Sequence, residues 1–350
     1  MKELLTAIIL AGGKGTRLRP LTVYTPKPIV PFVNRPFLLY QLDILGRADV
    51  RNVTLSLNYQ PNKIEDVMGA ILDQSVALNF VTEPNPLGTA GAVRYAAGDL
   101  HGTYVVLNGD ILTDLALSDV IRDHRSKKAD ATIVLKKVED PSRYGLVETD
   151  ESGRVLRFLE KPSSSEVVEL DLNTINAGIY ILEKDVLELI AEDEPSSFEY
   201  DIFPAILKKG LVFNSYILDD EYWRDIGTPQ SYLQAHMDYL GGVIRGFDHG
   251  DGAASDVATM ANVDYRSVIG DGCVVKPNAE IRNSVIGPGA HVEERCVIEN
   301  SVIWSHTRIA TSATVRDAII GRSCYIGRNS IISPGVVLGD KGSIPDYSKI

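Results

Sequence analysis

Leu4-Leu-Thr-Ala-Ile-Ile-Leu10 runs directly into Ala11-Gly-Gly-Lys-Gly-Thr-Arg-Leu-Arg-Pro-Leu-Thr22. The apolar run is the length of one buried strand, and the glycines behind it end that strand in a tight turn. Glycine lets a backbone approach phosphate oxygens closely and aim its N–H groups at them. The spacing is not that of a Walker A loop, which needs Gly-Lys-Ser/Thr after four residues. A dinucleotide fingerprint is excluded too, because counting from Gly13 the sixth position is Leu18, where Gly or Ala is required. Arg17 lies within the loop, and Lys27 follows between Pro26 and Pro28. Prolines on both sides hold the backbone of a cation in place, and two cations beside an N–H cradle suit a triphosphate.

Outward from this loop, short apolar runs alternate with helical segments as far as residue 240. Leu4–Leu10, Val53–Leu57, Val76–Val81, Tyr104–Leu107 and Ala131–Leu135 read as buried strands; Ile64–Leu72, Thr89–Ala97 and Leu117–Ser126 read as helices. That alternation predicts an α/β fold with a mostly parallel, Rossmann-like sheet covered on both faces. A last helix has Thr228 as N-cap, Pro229 in its first turn and Gly241 as its stop. Asp248–Ser255 reads as linker. Beyond it, Ile269, Val275, Ile281, Ile286, Val292 and Ile298 open an apolar series at intervals of 6, 6 and 5 that continues to Val337, a period of 17 residues. Three short strands per coil make a triangular prism, a parallel β-helix of hexapeptide repeats, and resemblance to other hexapeptide proteins implies the left-handed form. The expected division is 1–242, a linker 243–256, and a repeat domain 257–350.

The chain has 350 residues and a net charge of −12, with 44% hydrophobic and 23% charged residues. This is the mixture of a soluble globular protein, and it lacks the basic footprint of a nucleic-acid or membrane-surface binder. The 3 cysteines, Cys273, Cys296 and Cys324, all fall on small inward positions of the repeat and read as buried free thiols. With no disulfide framework, a cytoplasmic location is expected.

The loop Leu10–Thr22 followed by Pro26–Pro31 resembles the signature of the sugar-1-phosphate nucleotidyltransferases. Further segments follow in that family's order: Glu83–Gly91, Leu107–Asp110, Tyr144–Glu148, Phe158–Pro162, Asn176–Tyr180, Phe203–Pro204 and Trp223–Pro229. The resemblance implies transfer of a nucleotidyl group from an NTP to a sugar 1-phosphate, with release of pyrophosphate. Arg17, Lys27, Asp110 and Asp225 are then the catalytic residues, and Asp110 and Asp225 the ligands of Mg²⁺. Leu10, Ala11, Gly12, Gly13, Gly15, Thr16, Arg17, Lys27, Glu83 and Gly88 would bind the nucleotide. Asn108, Gly145, Glu160, Lys161, Asn176 and Gly178 would face the sugar phosphate.

Glu83 stands where the resemblance places the base-facing residue, and thymidylyltransferases resemble this region but carry Gln there. An ionised carboxylate only accepts hydrogen bonds, and guanine presents two adjacent donors, N1–H and N2–H, so GTP is the expected nucleotide. Pro26–Pro36 and Pro86–Ala92 are most similar to mannose-1-phosphate guanylyltransferases of the shorter type; Arg224 departs from the apolar residue usual there. Thymidylyl-, uridylyl- or adenylyltransferases of glucose 1-phosphate and guanylyltransferases of heptose 1-phosphate share most of these motifs. A non-catalytic regulatory subunit and an added acyltransferase activity in the repeat are the remaining readings. The repeat is expected to be structural and associative, giving a homo-oligomer, and truncation near Ser255 is expected to leave the nucleotide site formed.

Overall fold

The computed structural model describes residues 5–71, 76–141, 144–160, 172–247 and 255–350. They form two compact units, one of residues 1–13 and 41–223, the other of residues 14–40 and 224–350. These units are not the linear stretches 1–242 and 257–350; the proposed linker residues 248–254 lie outside the described residues.

The first unit is built on a 9-stranded sheet. Its strands are β1 (Leu5–Leu10), β2 (Asn52–Leu57), β3 (Ala77–Thr82), β4 (Thr103–Asn108), β5 (Ala131–Lys137), β6 (Leu146–Thr149), β7 (Val155–Leu159), β8 (Thr174–Glu183) and β9 (Phe213–Leu218). The order is β7-β6-β8-β4-β1-β2-β3, and β5 pairs with both β8 and β9. Strand β1 lies between β4 and β2, parallel to both, with Leu10 opposite Asn108 and Ser56. Ala7, Ile8 and Ile9 are all fully buried although their side chains alternate between faces, so both faces of the sheet are covered there. Helices α1 (Leu38–Arg47), α2 (Pro61–Ile71), α3 (Gly88–Ala97) and α4 (Leu117–Ser126) supply apolar cover.

Two features depart from the sequence reading. Strand β3 is not buried: it is the last strand of the order and alternates between exposed and half-buried residues, as an edge strand does. Strand β8 enters antiparallel between β4 and β5, and its register with β5 breaks between Asn176 and Tyr180. The residues between these two positions include Gly178, and such breaks re-aim side chains.

In the second unit, helix α5 (Pro229–Leu240) begins as the sequence suggests, with the Thr228 hydroxyl accepting the Ser231 N–H at 3.2 Å. Its end differs. Gly241 remains right-handed at φ −74°, and Gly242 takes the left-handed turn at φ 74°.

The repeat forms three parallel sheets of 6, 5 and 5 strands. Ile286 stacks on Ile303 and Ile303 on Ile320, all fully buried. Asn283 donates to Asn300 at 2.8 Å, and Asn300 to Asp317 at 3.1 Å, a polar ladder up one corner. The cysteines are buried, and each thiol donates to a backbone carbonyl of the following coil, Cys296 to Ala310 at 3.1 Å. Burial pushes the Cys296 thiol up to about 11, so it is an inert packing group. His291 and His306 are exposed, as expected of polar residues on the outside of a coil.

Residues 14–40 and α5 pack on these coils. Asn34 Nδ2 donates to the Ile286 carbonyl at 2.9 Å, and Trp304 Nε1 donates to the Tyr232 hydroxyl at 3.1 Å. That hydroxyl in turn donates to the Pro31 carbonyl. Cutting the chain near Ser255 would remove the bonds to Ile286 and Trp304, while α5 and its bond to Pro31 would remain.

His236 joins the same contact. It is fully buried; Nε2 accepts the Val33 N–H at 3.2 Å and Nδ1 donates to the Tyr232 carbonyl at 2.9 Å. Burial lowers its pKa to about 4 from the ordinary 6.5. The unfolded chain thus binds a proton that the folded chain refuses. Stability is complete above pH 6.5 and falls as the pH is lowered from there towards 4. At pH 5 the loss is about 2 kcal/mol. Thermal melts at pH 7 and 5 should show it, and His236→Gln should flatten the dependence; an unchanged slope would reject the assignment.

Candidate active site

In the first unit, the predicted residues collect at the C-terminal ends of β1 and β4, where open α/β sheets bind ligands. Ala11 N–H donates to Ser56 at 2.9 Å, and Gly109 N–H donates to the Leu10 carbonyl at 2.9 Å. A Cβ on Gly12 would lie 3.1 Å from Asn58 Cβ and 3.5 Å from Glu83 Oε1, whereas Gly13 has open space around it.

Glu83 is 8% exposed. Its Oε1 accepts the Ser56 hydroxyl at 2.9 Å, and its Oε2 accepts the Leu87 N–H, just before α3, at 3.1 Å. Each oxygen keeps a second lone pair, so the carboxylate is held in place and still accepts.

Gly88 has a second reason to be glycine. Its φ is +72°, and a Cβ would meet the Ser196 carbonyl at 2.5 Å. That carbonyl accepts the N–H groups of Ala90 and Gly91 at 3.0 and 3.1 Å, so these donors at the start of α3 serve the protein itself. Ser196 carries no motif, and only the paired glycines at 88 and 91 hint at the close approach of another chain segment.

The residues expected to face the sugar phosphate form one cluster. Asn176 N–H donates to the Gly145 carbonyl at 2.9 Å, and Asn176 Oδ1 accepts the Gly178 N–H at 2.9 Å. A Cβ on Gly145 would stand 2.7 Å from Glu160 Oε2, and one on Gly178 (φ +72°) 2.5 Å from Asn108 Nδ2. Asn176 Nδ2 also donates to the Tyr180 hydroxyl at 2.9 Å. Burial, with Glu199, Glu160 and Asp110 nearby, pushes the Tyr180 phenol far up, so it stays protonated. Tyr180 ends the segment Asn176–Tyr180, and nothing in the sequence pattern signals its bond to Asn176. Asp110 follows β4 and is half-buried. Lys161 lies outside the described residues.

In the second unit, Gly15 (φ +60°) turns the chain against Lys27, whose Cβ would be 3.1 Å from a Cβ there. Thr22 Oγ1 donates to the Gly15 carbonyl at 2.7 Å, Thr16–Leu18 is a short 3₁₀ turn, and Lys27 begins another after Pro26. Asp225 Oδ2 is 3.9 Å from Arg17 Nη2, and Oδ1 is 3.9 Å from Lys27 Nζ. The Lys27 side chain is 11% exposed against 67% for Arg17, so one cation is fixed and the other is open to solvent. Gly227 leaves room for this group, since a Cβ there would be 2.9 Å from Asp225 Oδ1 and 3.0 Å from Arg17 Nη2. Arg224 pairs with Asp238 of α5 at 3.0 Å, which accounts for a cation at that position.

Residues 6–242 match the family described as Nucleotidyl transferase, and the chain belongs to that family. Residues 252–350 match the EIF2B subunit epsilon LbH domain, in agreement with a left-handed β-helix. Among the relatives, the mannose-1-phosphate guanylyltransferase of Mycobacterium tuberculosis is 38% identical, over 79% of this chain and 77% of its own length. The mannose-1-phosphate guanyltransferase of Aspergillus oryzae is 38% identical over 97% of this chain and 92% of its own. The mannose-1-phosphate guanylyltransferase catalytic subunit beta of Drosophila pseudoobscura pseudoobscura is 39% identical over 76% and 71%. Among the described residues, no helix is long and apolar enough to cross a membrane.

Proposed function

We propose that this enzyme transfers GMP from GTP to mannose 1-phosphate, giving GDP-mannose and pyrophosphate. The observation that carries this reading is the similarity, along 97% of the chain, to a protein named for that reaction. The held Glu83 carboxylate supports the choice of guanine.

A phosphate oxygen of the sugar 1-phosphate attacks the α-phosphorus in line, a new P–O bond forms, and the bond to pyrophosphate breaks. The nucleophile is already anionic and needs no general base, so positioning and charge neutralisation supply the rate. Arg17 and Lys27 balance the phosphate charge, and Leu10, Ala11, Gly12, Gly13, Gly15 and Thr16 cradle the nucleotide beside Glu83 and Gly88. Asn108, Gly145, Glu160, Lys161, Asn176 and Gly178 orient the sugar phosphate.

The donor chemistry fits Mg²⁺. Asp110 and Asp225 offer hard carboxylate oxygens, the donors that Mg²⁺ favours. Mg²⁺ takes one or two carboxylates and fills its shell with phosphate oxygens and water. When bound, it would neutralise charge on the triphosphate.

Pyrophosphate release measured over a matrix of nucleotides and sugar 1-phosphates tests the reading. GTP with mannose 1-phosphate should be best, and Glu83→Gln should erode the preference for GTP. A preference of the unaltered enzyme for dTTP or ATP would reject the guanine argument. We also read the enzyme as a cytoplasmic homo-oligomer joined through its repeat; a strictly monomeric mass by light scattering would contradict that.

A further inference from the structure

We infer that Gln41 is a positioning residue for Asp110, an inference that rests on reading Asp110 as a metal ligand. Gln41 lies in α1, is 1% exposed and is not part of any motif that carries the resemblance. Its Nε2 donates to the Asn108 carbonyl at 2.8 Å and to the Ile111 carbonyl at 3.1 Å. The two acceptors flank Gly109 and Asp110, so one amide straddles the turn that carries the aspartate. Two carbonyls can be met only by the NH₂ end, and that fixes which way the amide faces.

Among the described residues, Oε1 has no hydrogen-bond partner. A buried acceptor left in this state costs stability, and a similar-sized apolar side chain would avoid the cost. The glutamine is accounted for by its grip on the turn. From the opposite side, Gly109 N–H bonds the Leu10 carbonyl at 2.9 Å, and a Cβ at 109 would meet that oxygen at 2.5 Å. The turn is thus pinned on one side to β1 and on the other to α1. An aspartate between two such pins arrives at a metal already oriented. Partners of this outer kind usually change metal affinity by about 10- to 100-fold when removed.

The test uses the full chain, with Mn²⁺ as the probe and GTP present without sugar phosphate, so that nothing turns over. Free Mn²⁺ is followed by electron paramagnetic resonance, and folding by thermal melting. Gln41→Met keeps the bulk and removes both donors; Gln41→Asn keeps a donor but withdraws it by one methylene. Both should stay folded, bind Mn²⁺ about 10-fold or more weakly, and require correspondingly more Mg²⁺ for half-maximal rate. Should Gln41→Met fail to fold, Gln41→Asn decides. Folded variants that bind Mn²⁺ as the unaltered enzyme does, while Asp110→Asn loses it, would overturn the role of Gln41. Unchanged Mn²⁺ binding in Asp110→Asn would instead remove the metal reading beneath it.

Discussion

Asp225→Asn and Asp110→Asn should each lose at least about 10²-fold in kcat with the fold intact, the scale expected for deleting one preorganised electrostatic element. The change is nearly isosteric, so packing is preserved. Around Asp225 the backbone contact also survives, because the Ser231 hydroxyl donates to its main-chain carbonyl and not to its carboxylate. What disappears is the anion 3.9 Å from both Arg17 and Lys27. Without it, the two cations lose the charge that holds them near one another, and the proposed metal loses a hard ligand. For Asp110 the proposed metal would likewise lose a hard ligand. Melting temperatures within a few degrees of the unaltered enzyme, with collapsed turnover, are the expected pair of results. Near-normal turnover in both variants would sink the assignment.

The second large effect is on the repeat. Ile303→Asp or Ile320→Asp should unfold it. Both side chains are fully buried, stacked in the same ladder and surrounded by apolar side chains. Truncating a buried isoleucine to alanine costs about 2–5 kcal/mol, and a charge without a partner adds several more. Trp304, the residue after Ile303, bonds Tyr232 of α5. Damage there should therefore also reduce nucleotidyl transfer. Circular dichroism and melting give the first readout, pyrophosphate release the second; a variant that melts like the unaltered protein would contradict the inward placement.

How far the sequence reveals all this depends on the kind of constraint. The repeat is legible almost residue by residue, because each coil buries the same positions and the 6, 6, 5 spacing records it. Strand β1 and its glycine turn are legible because a doubly covered strand is uniformly apolar. Strand β8 is not, since Asn176 and Gly178 interrupt its apolar run. Asn108, Gly145, Glu160, Asn176 and Gly178 lie together although they are spread over 71 positions of the sequence. The roles of Ser196 and Gln41 could not be read, because each acts through main-chain carbonyls that the one-letter pattern does not encode. The grouping of residues 14–40 with the repeat was hidden for a similar reason: no local pattern marks a contact between Asn34 and Ile286, which are 252 positions apart.

That separation has a cost in time. A ribosome adds about 5–20 residues each second, so the segment holding Arg17 and Lys27 leaves it roughly 10–50 s before the coil on which Asn34 rests has been made. For most of that interval the segment also lacks α5, whose Tyr232 and His236 bond Pro31 and Val33. A nascent chain stalled short of residue 225 should leave it open to protease, and release of the finished chain should close it.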